Sequence, residues 1–175
     1  MEGKGRITGH TGLLALIGSP VGHSGSPAMY NYSFEKLGLD YAYVAFDIKV
    51  EEVKAALDAM RLFHMRGCNV TMPCKTEAAK YMDELSPAAR IIGAVNTIVN
   101  EDGKLIGHMT DGEGFVGNLR DHGIEIKGKK ITVAGGGGAA TAIQVQCALD
   151  GATFSHQRFE PMHTKSIING QHKDR

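Results

Sequence analysis

The chain has 175 residues, 42% of them hydrophobic, and its 19 lysines and arginines balance 19 aspartates and glutamates. That length holds one domain of ordinary size, or one domain and part of a second, with enough apolar residues for a core. The formal charge of zero removes the electrostatic basis for binding nucleic acid or an anionic membrane, which leaves small-molecule chemistry as the class to look for.

In chain order, a polar, glycine-rich start gives way to Leu13-Leu14-Ala15-Leu16-Ile17. This continuous apolar run predicts a strand covered on both faces. It is shorter than the apolar part of a signal peptide and far shorter than a membrane span, so the cytoplasm is the expected location. The loop GSPVGHSGSP, Gly18 to Pro27, sets the hydroxyls of Ser24 and Ser26 on either side of Gly25. Ser26 followed by Pro27 has the form of a helix N-cap, with Ser24 shaping the turn. Two hydroxyls beside a helix N-terminus also suit a carboxylate, and the residues alone leave both readings open. A helix is predicted from about Pro27 to Leu37, with Met29, Tyr32 and Leu37 among its apolar positions and Gly38 as its left-handed stop. A strand at Tyr41 to Ile48 follows. A helix from about Val50 to Met65 then carries Val53, Leu57 and Met60 on one apolar face, with His64 as a partner for its C-terminal dipole.

Gly67 to Thr71 predicts a third strand and completes a strand–helix alternation that implies a largely parallel, right-handed sheet. Pro73 ends the ladder. The stretch NVTMPCK, Asn69 to Lys75, thereby brings the Asn69 amide, the Thr71 hydroxyl and the Lys75 ammonium to the carboxyl end of a strand, where ligand crevices form in open α/β sheets. An ammonium there holds an anion or moves a proton; by itself it is also an ordinary lysine at a helix start. Cys68, Cys74 and Cys147 are odd in number and lack metal-ligand spacing, so they read as reduced thiols without a metal or a disulfide framework.

A helix at about Thr76 to Met82 and one begun by Ser86-Pro87 look structural. Ala94 to Val99 and Lys104 to Gly107, around Glu101-Asp102-Gly103, predict a hairpin. Asn96 interrupts its apolar character, and the amide either braces a loop or binds substrate hydroxyls. Asp111 precedes a helix over Glu113 to His122 and by itself reads as that helix's N-cap. Lys129 to Ala134 then predicts a strand, followed by the glycine run from Gly135 and a helix to about Leu149. A strand, a glycine turn and a helix opening with small residues form the phosphate-cradling start of a dinucleotide fold, here with the spacing Gly135-x-Gly137 and then Ala140. The lysine and hydroxyl of a P-loop are absent from this run.

The motifs GSPVGHSGSP, NVTMPCK, GAVNT at Gly93 to Thr97, TDGEGF at Thr110 to Phe115 and GGGGA at Gly135 to Ala139 stand in the order and spacing of the shikimate dehydrogenases. Over roughly Leu13 to Ala152 the sequence resembles the shikimate/quinate dehydrogenase branch of that family. The resemblance implies an α/β fold: a mixed, mainly parallel sheet in a substrate-binding domain at residues 1–112. A linker helix and the first βα unit of a Rossmann-type dinucleotide-binding domain would follow at 113–175. It implies NAD(P)-dependent reversible reduction of 3-dehydroshikimate to shikimate, or of dehydroquinate to quinate, in aromatic amino acid biosynthesis.

By that resemblance Ser24 and Ser26 would bind the substrate carboxylate and Thr71 would help hold the ring. Lys75 and Asp111 would be the acid–base pair, with Asn96 and Asp111 holding neighbouring hydroxyls. Gly135, Gly136, Gly137, Gly138 and Ala139 would lie under the pyrophosphate of NADP or NAD. No metal, nucleic acid or membrane is implied, and a homodimer is left open. Gly25 and Met109 depart from the residues usual in the family, the second beside Asp111. After Ala152 the sequence leaves the family pattern. The expectation is a dinucleotide domain cut short to one strand and one helix, with Arg158 lacking the strand that would present it to a 2′-phosphate. A non-catalytic binder of a shikimate-like ligand is the alternative expectation.

Overall fold

The structure, a computed structural model, describes residues 7–154; Arg158 lies outside them. Contacts divide the chain into two compact units, Met1–Thr110 and Asp111–Arg175. In the first, strand β1 (Gly12–Gly18) is followed by helix α1 (Ser26–Leu37), β2 (Tyr41–Asp47), a 3₁₀ turn (Val50–Glu52) that runs into α2 (Val53–Leu62), and β3 (Gly67–Val70). The chain continues through α3 (Lys75–Ala79), β4 (Glu84–Leu85), α4 (Pro87–Ile92) and the hairpin β5 (Thr97–Glu101) and β6 (Lys104–His108). The six strands lie in the order β2-β1-β3-β5-β6-β4. β1 is parallel to β2 and β3, β4 is parallel to β6, and β5 alone runs against both of its neighbours. The sheet is therefore mixed and mainly parallel, as the alternation of elements predicts.

Period-two alternation sorts the side chains. Leu16, Val21, Phe34 and Tyr43 cluster on one face with Leu14, Tyr30 and Tyr41. On the other face α2 turns Val53, Leu57 and Met60, all at most 2% exposed, inward. Each such side chain contributes about 1.5–3 kcal/mol through apolar area removed from water. Leu57 and Met60 meet Leu13, Ile17, Phe46 and Cys68 across an apolar cavity of about 330 Å³. The helical period of α2 thus reads correctly from the sequence.

Several elements differ from the sequence reading. Ser26 is the first helical residue of α1 and not its N-cap; Gly25 holds that place, with helical backbone at φ −77. The turn winds one residue early because the Ser26 N–H donates to Ser24 Oγ at 3.2 Å. Met29, Tyr32 and Leu37 of α1 are exposed, and Phe34 is the residue that packs inward. Gly38 does stop the helix in the left-handed region, at φ 65. The second helix ends at Leu62, which leaves His64 outside it, with positive φ. Ser86 caps α4 as expected, accepting the Ala89 N–H at 3.3 Å. β4 was not expected, since a strand of two residues has no periodicity to read.

The second unit contains α5 (Asp111–Asp121), β7 (Lys130–Ile131), α6 (Gly138–Leu149) and β8 (Thr153–Phe154). β7 pairs in parallel with β8, Lys130 opposite Thr153 and Ile131 opposite Phe154. The expected single strand and helix are thus corrected to a strand–helix–strand unit, whose second strand is too short to show as a pattern. Val116, Ile126 and Cys147 form its core with Leu119, Ile131, Ile143 and Ala152. Helices α5 and α6 approach so closely that a Cβ at Gly112 would strike the Ala142 carbonyl oxygen. Asp111 is the first residue of α5 and not its N-cap, because the helix begins two residues earlier than Glu113. Among the described residues no helix is long and apolar enough to cross a membrane, and no group of three or more His, Cys, Asp or Glu could hold a metal ion.

Candidate active site

The carboxyl ends of β1, β2 and β3 lie along one edge of the first unit's sheet. Because β5 runs the other way, the residues before it lie along that edge too. Backbone bonds join these segments. The Ser19 N–H donates to Met72 O at 3.0 Å, Thr71 N–H to Ile17 O at 2.9 Å, and Ile48 N–H to Gly18 O at 2.9 Å. Gly18 is needed there: its φ is +150, and a Cβ would run into Thr71. The Val21 N–H donates to Asp47 Oδ2 at 3.3 Å, which ties the loop carrying Ser24 to the end of β2.

The NVTMPCK and GAVNT stretches meet through two further bonds. Val70 N–H donates to Asn96 O at 2.8 Å and Val95 N–H to Lys75 O at 3.0 Å. Lys75, half-buried, is the first residue of α3. Asn96 is 9% exposed, and its amide grips Thr110: the Thr110 N–H donates to Oδ1 at 2.9 Å, and Nδ2 donates to Thr110 Oγ1 at 3.0 Å. Of the two readings left open for Asn96, loop bracing is therefore realised in the structure. Ser24 Oγ accepts from Ser26 N–H, which leaves its own proton to donate.

Ser24, Ser26, Thr71, Lys75 and Asn96 thus belong to segments at one edge of the first unit, whereas Asp111 and the glycine run belong to the second. Three polar side chains not singled out from the sequence join this edge. Thr97 and Thr110 hydroxyls stand 3.5 Å apart beside Asn96, and Tyr43 donates to Asn69 at 2.8 Å. The two threonines lie inside motifs already noted, GAVNT and TDGEGF; Tyr43 carries no such signal. Burial raises the Tyr43 hydroxyl's pKa above its ordinary value, with Tyr30 and Cys68 adding smaller effects, so it remains a donor. Burial also pushes the Cys68 thiol up to about 12. Cys74, which also faces Glu51 and Glu52, and Cys147, near Asp150, are raised by burial first.

In the second unit the glycine run fits a dinucleotide pyrophosphate. Gly137 is the N-cap of the 12-residue α6, with extended backbone and no side-chain cap. Cβ atoms built at Gly136, Gly137 and Gly138 meet nothing within 4 Å, so the turn is open to a group that approaches the backbone. Uncapped N–H groups at a helix N-terminus favour an anion.

Comparison with known proteins agrees with this geometry. The sequence pattern of the shikimate dehydrogenase substrate binding domain matches residues 16–98. The curated shikimate dehydrogenase (NADP(+)) of Listeria monocytogenes serotype 4b is 56% identical over 146 residues, which are 83% of this chain and 50% of that protein. The crystal structure of Listeria monocytogenes shikimate 5-dehydrogenase in complex with shikimate and NAD superposes with a TM-score of 0.83 at 51% identity, covering 89% of this chain and 55% of that one. The ligand-free 5-ketofructose reductase of a Gluconobacter strain superposes with a TM-score of 0.79 at 34% identity, covering 83% of this chain and 52% of that one. The chain spans about half the length of the curated relatives it matches. With its motifs, its sheet order and these matches in agreement, the chain is similar to the shikimate dehydrogenases over the residues matched, and residues 16–98 match their substrate binding domain.

Proposed function

We propose that the first unit is the shikimate-binding part of an NAD(P)-dependent shikimate dehydrogenase of aromatic amino acid biosynthesis, working in the cytoplasm on shikimate or quinate. The observation that carries this reading is the convergence of Ser24, Thr71, Lys75 and the Asn96–Thr97–Thr110 cluster at one sheet edge. A ring bearing one carboxylate and several hydroxyls matches such a set of donors and acceptors.

In this reading the Ser24 and Ser26 hydroxyls donate to the carboxylate, while Thr71 helps hold the ring and Asn96 holds a hydroxyl on it. Lys75 Nζ gives a proton to the carbonyl oxygen as the carbon is reduced and takes it back in the oxidation direction. For Asp111 the motif alone supports a role as the second acid–base residue and as a holder of a neighbouring hydroxyl. NADP or NAD, when bound, supplies or accepts the hydride. The backbone N–H groups of Gly135 to Ala139 hold its pyrophosphate, and residues 113–154 read as the linker helix and the start of the dinucleotide domain. Sedimentation of the purified protein decides between a monomer and the homodimer left open by the resemblance.

Calorimetric titration with shikimate, quinate and 5-ketofructose tests the reading. Shikimate or quinate is expected to bind and the neutral sugar is not. Replacing both Ser24 and Ser26 by alanine is expected to weaken that binding about 10- to 100-fold, the scale for hydrogen bonds to a charged group, and to leave the affinity for NADP unchanged. Tighter binding of 5-ketofructose, or a loss confined to NADP, overturns the assignment.

A further inference from the structure

A run of five side chains links the stacked tyrosines of the first unit to the Asn96 amide. Tyr43, whose ring lies 4.5 Å from that of Tyr30, donates from Oη to Asn69 Oδ1 at 2.8 Å. Asn69 Nδ2 donates to Thr97 Oγ1 at 3.2 Å. The Thr97 and Thr110 hydroxyls are 3.5 Å apart, and Thr110 Oγ1 lies 3.2 Å from Asn96 Oδ1. The sheet register explains the contiguity, since Asn69 stands opposite Thr97 and Thr97 opposite His108, two residues before Thr110.

Hydrogen-bond chemistry fixes the direction of the first two bonds of this run. A carboxamide oxygen only accepts, so the Tyr43 hydroxyl must donate to it, which turns the Asn69 NH₂ toward Thr97. The Asn69 nitrogen also lies 3.5 Å from the Asn96 carbonyl oxygen, so a flipped amide would set two acceptors against each other. The Thr97 oxygen then accepts from Asn69, which leaves its proton for Thr110 at 3.5 Å; the Thr110 hydroxyl in turn lies against both ends of the Asn96 amide, 3.0 Å from Nδ2 and 3.2 Å from Oδ1. Bonds linked in this way polarise and reinforce one another.

We propose that Tyr43 is a positioning residue of the substrate site: its hydroxyl sets the orientation of the Asn69 amide and, through the Thr97 and Thr110 hydroxyls, is coupled to the hydrogen bonds of the Asn96 amide. Tyr43 does so without touching the substrate. The inference rests on the reading of this edge as the shikimate site for its functional consequence, but not for the existence of the chain of bonds.

The experiment separates the two. Tyr43→Phe keeps the ring that stacks on Tyr30 and removes only the donor. In the ligand-free protein it is expected to shift the Asn96 side-chain amide resonances, and in a Thr97→Val background, where the chain is already broken, it is expected to leave them in place. Thr97→Ser, which keeps the hydroxyl, restores the sensitivity. Shikimate affinity is expected to fall about tenfold in Tyr43→Phe, the scale of one buried hydrogen bond, and by less than about twofold more when Tyr43→Phe is added to Thr97→Val. If the unsubstituted protein does not bind shikimate, the functional reading falls, while the amide resonances still decide the positioning role. Asn96 resonances unmoved by Tyr43→Phe, or affinity losses that multiply in the double variant, overturn the inference.

Discussion

Lys75→Ala is expected to lower kcat by about 10²-fold or more, the usual scale for losing a general acid–base, with a much smaller change in KM. The measurement uses residues 1–152 joined to the second half of the Listeria monocytogenes relative, so that a whole nucleotide-binding domain is present. The physical reason lies in when the ammonium matters. Its proton is transferred as the carbonyl carbon changes oxidation state, so its loss is felt in the transition state and little in the bound ground state. The position of Lys75 is set by the backbone, through the Val95 N–H bond to its carbonyl oxygen and its place at the start of α3, so truncating the side chain leaves the loop standing. Lys75→Arg is expected to fail almost as badly, because a guanidinium holds a positive charge but does not release its proton near neutrality. Turnover unchanged in Lys75→Ala would assign the proton transfer to another group.

The joined protein is expected to reduce NADP or NAD with shikimate or quinate, whereas residues 1–175 expressed alone show turnover at background and retain the acid. The described residues supply one strand–helix–strand unit and one glycine turn, enough to hold a pyrophosphate. A nicotinamide must also be held at its other end if it is to be aimed at a substrate, and positioning of that kind accounts for about 7–11 kcal/mol of a catalysed barrier. Absorbance of the reduced nicotinamide reads the turnover, and calorimetry reads the retained binding. Turnover by the 175-residue polypeptide that matches the joined protein would mean that it completes the cofactor site unaided.

What the sequence revealed of this structure depended on the range of the interactions involved. Val53, Leu57 and Met60 repeat at helical spacing, so the inward face of α2 was legible before any coordinate. The same is true of the Asp102-Gly103 turn, whose backbone conformation only a few residue types favour. Ser26 was misread as a cap because the turn depends on the helical backbone at Gly25, and glycine records no preference there. Strands β4 and β8 have two residues each and exist through their partners, so no alternation announces them. The bond from Tyr43 to Asn69 joins residues 26 apart, and it follows from the register of three strands, which the motifs do not contain. The residues that touch a ligand carry local chemistry and can be read; those that hold them in place are known once the strands are aligned.

The free thiols lie inside the described core, Cys68 and Cys74 in the first unit and Cys147 in the second. Burial keeps each of them protonated, so a thiol-directed reagent meets neither an accessible sulfur nor a thiolate while the chain is closed. Labelling at each cysteine then waits on an opening event, and its rate measures how often that part of the protein lets water in. Cys68 reports the central strand β3, Cys74 the segment that leads to Lys75, and Cys147 the helix that follows the glycine turn. Three clocks are built into one polypeptide, and whether they run together or apart tells how far its two halves live separate lives.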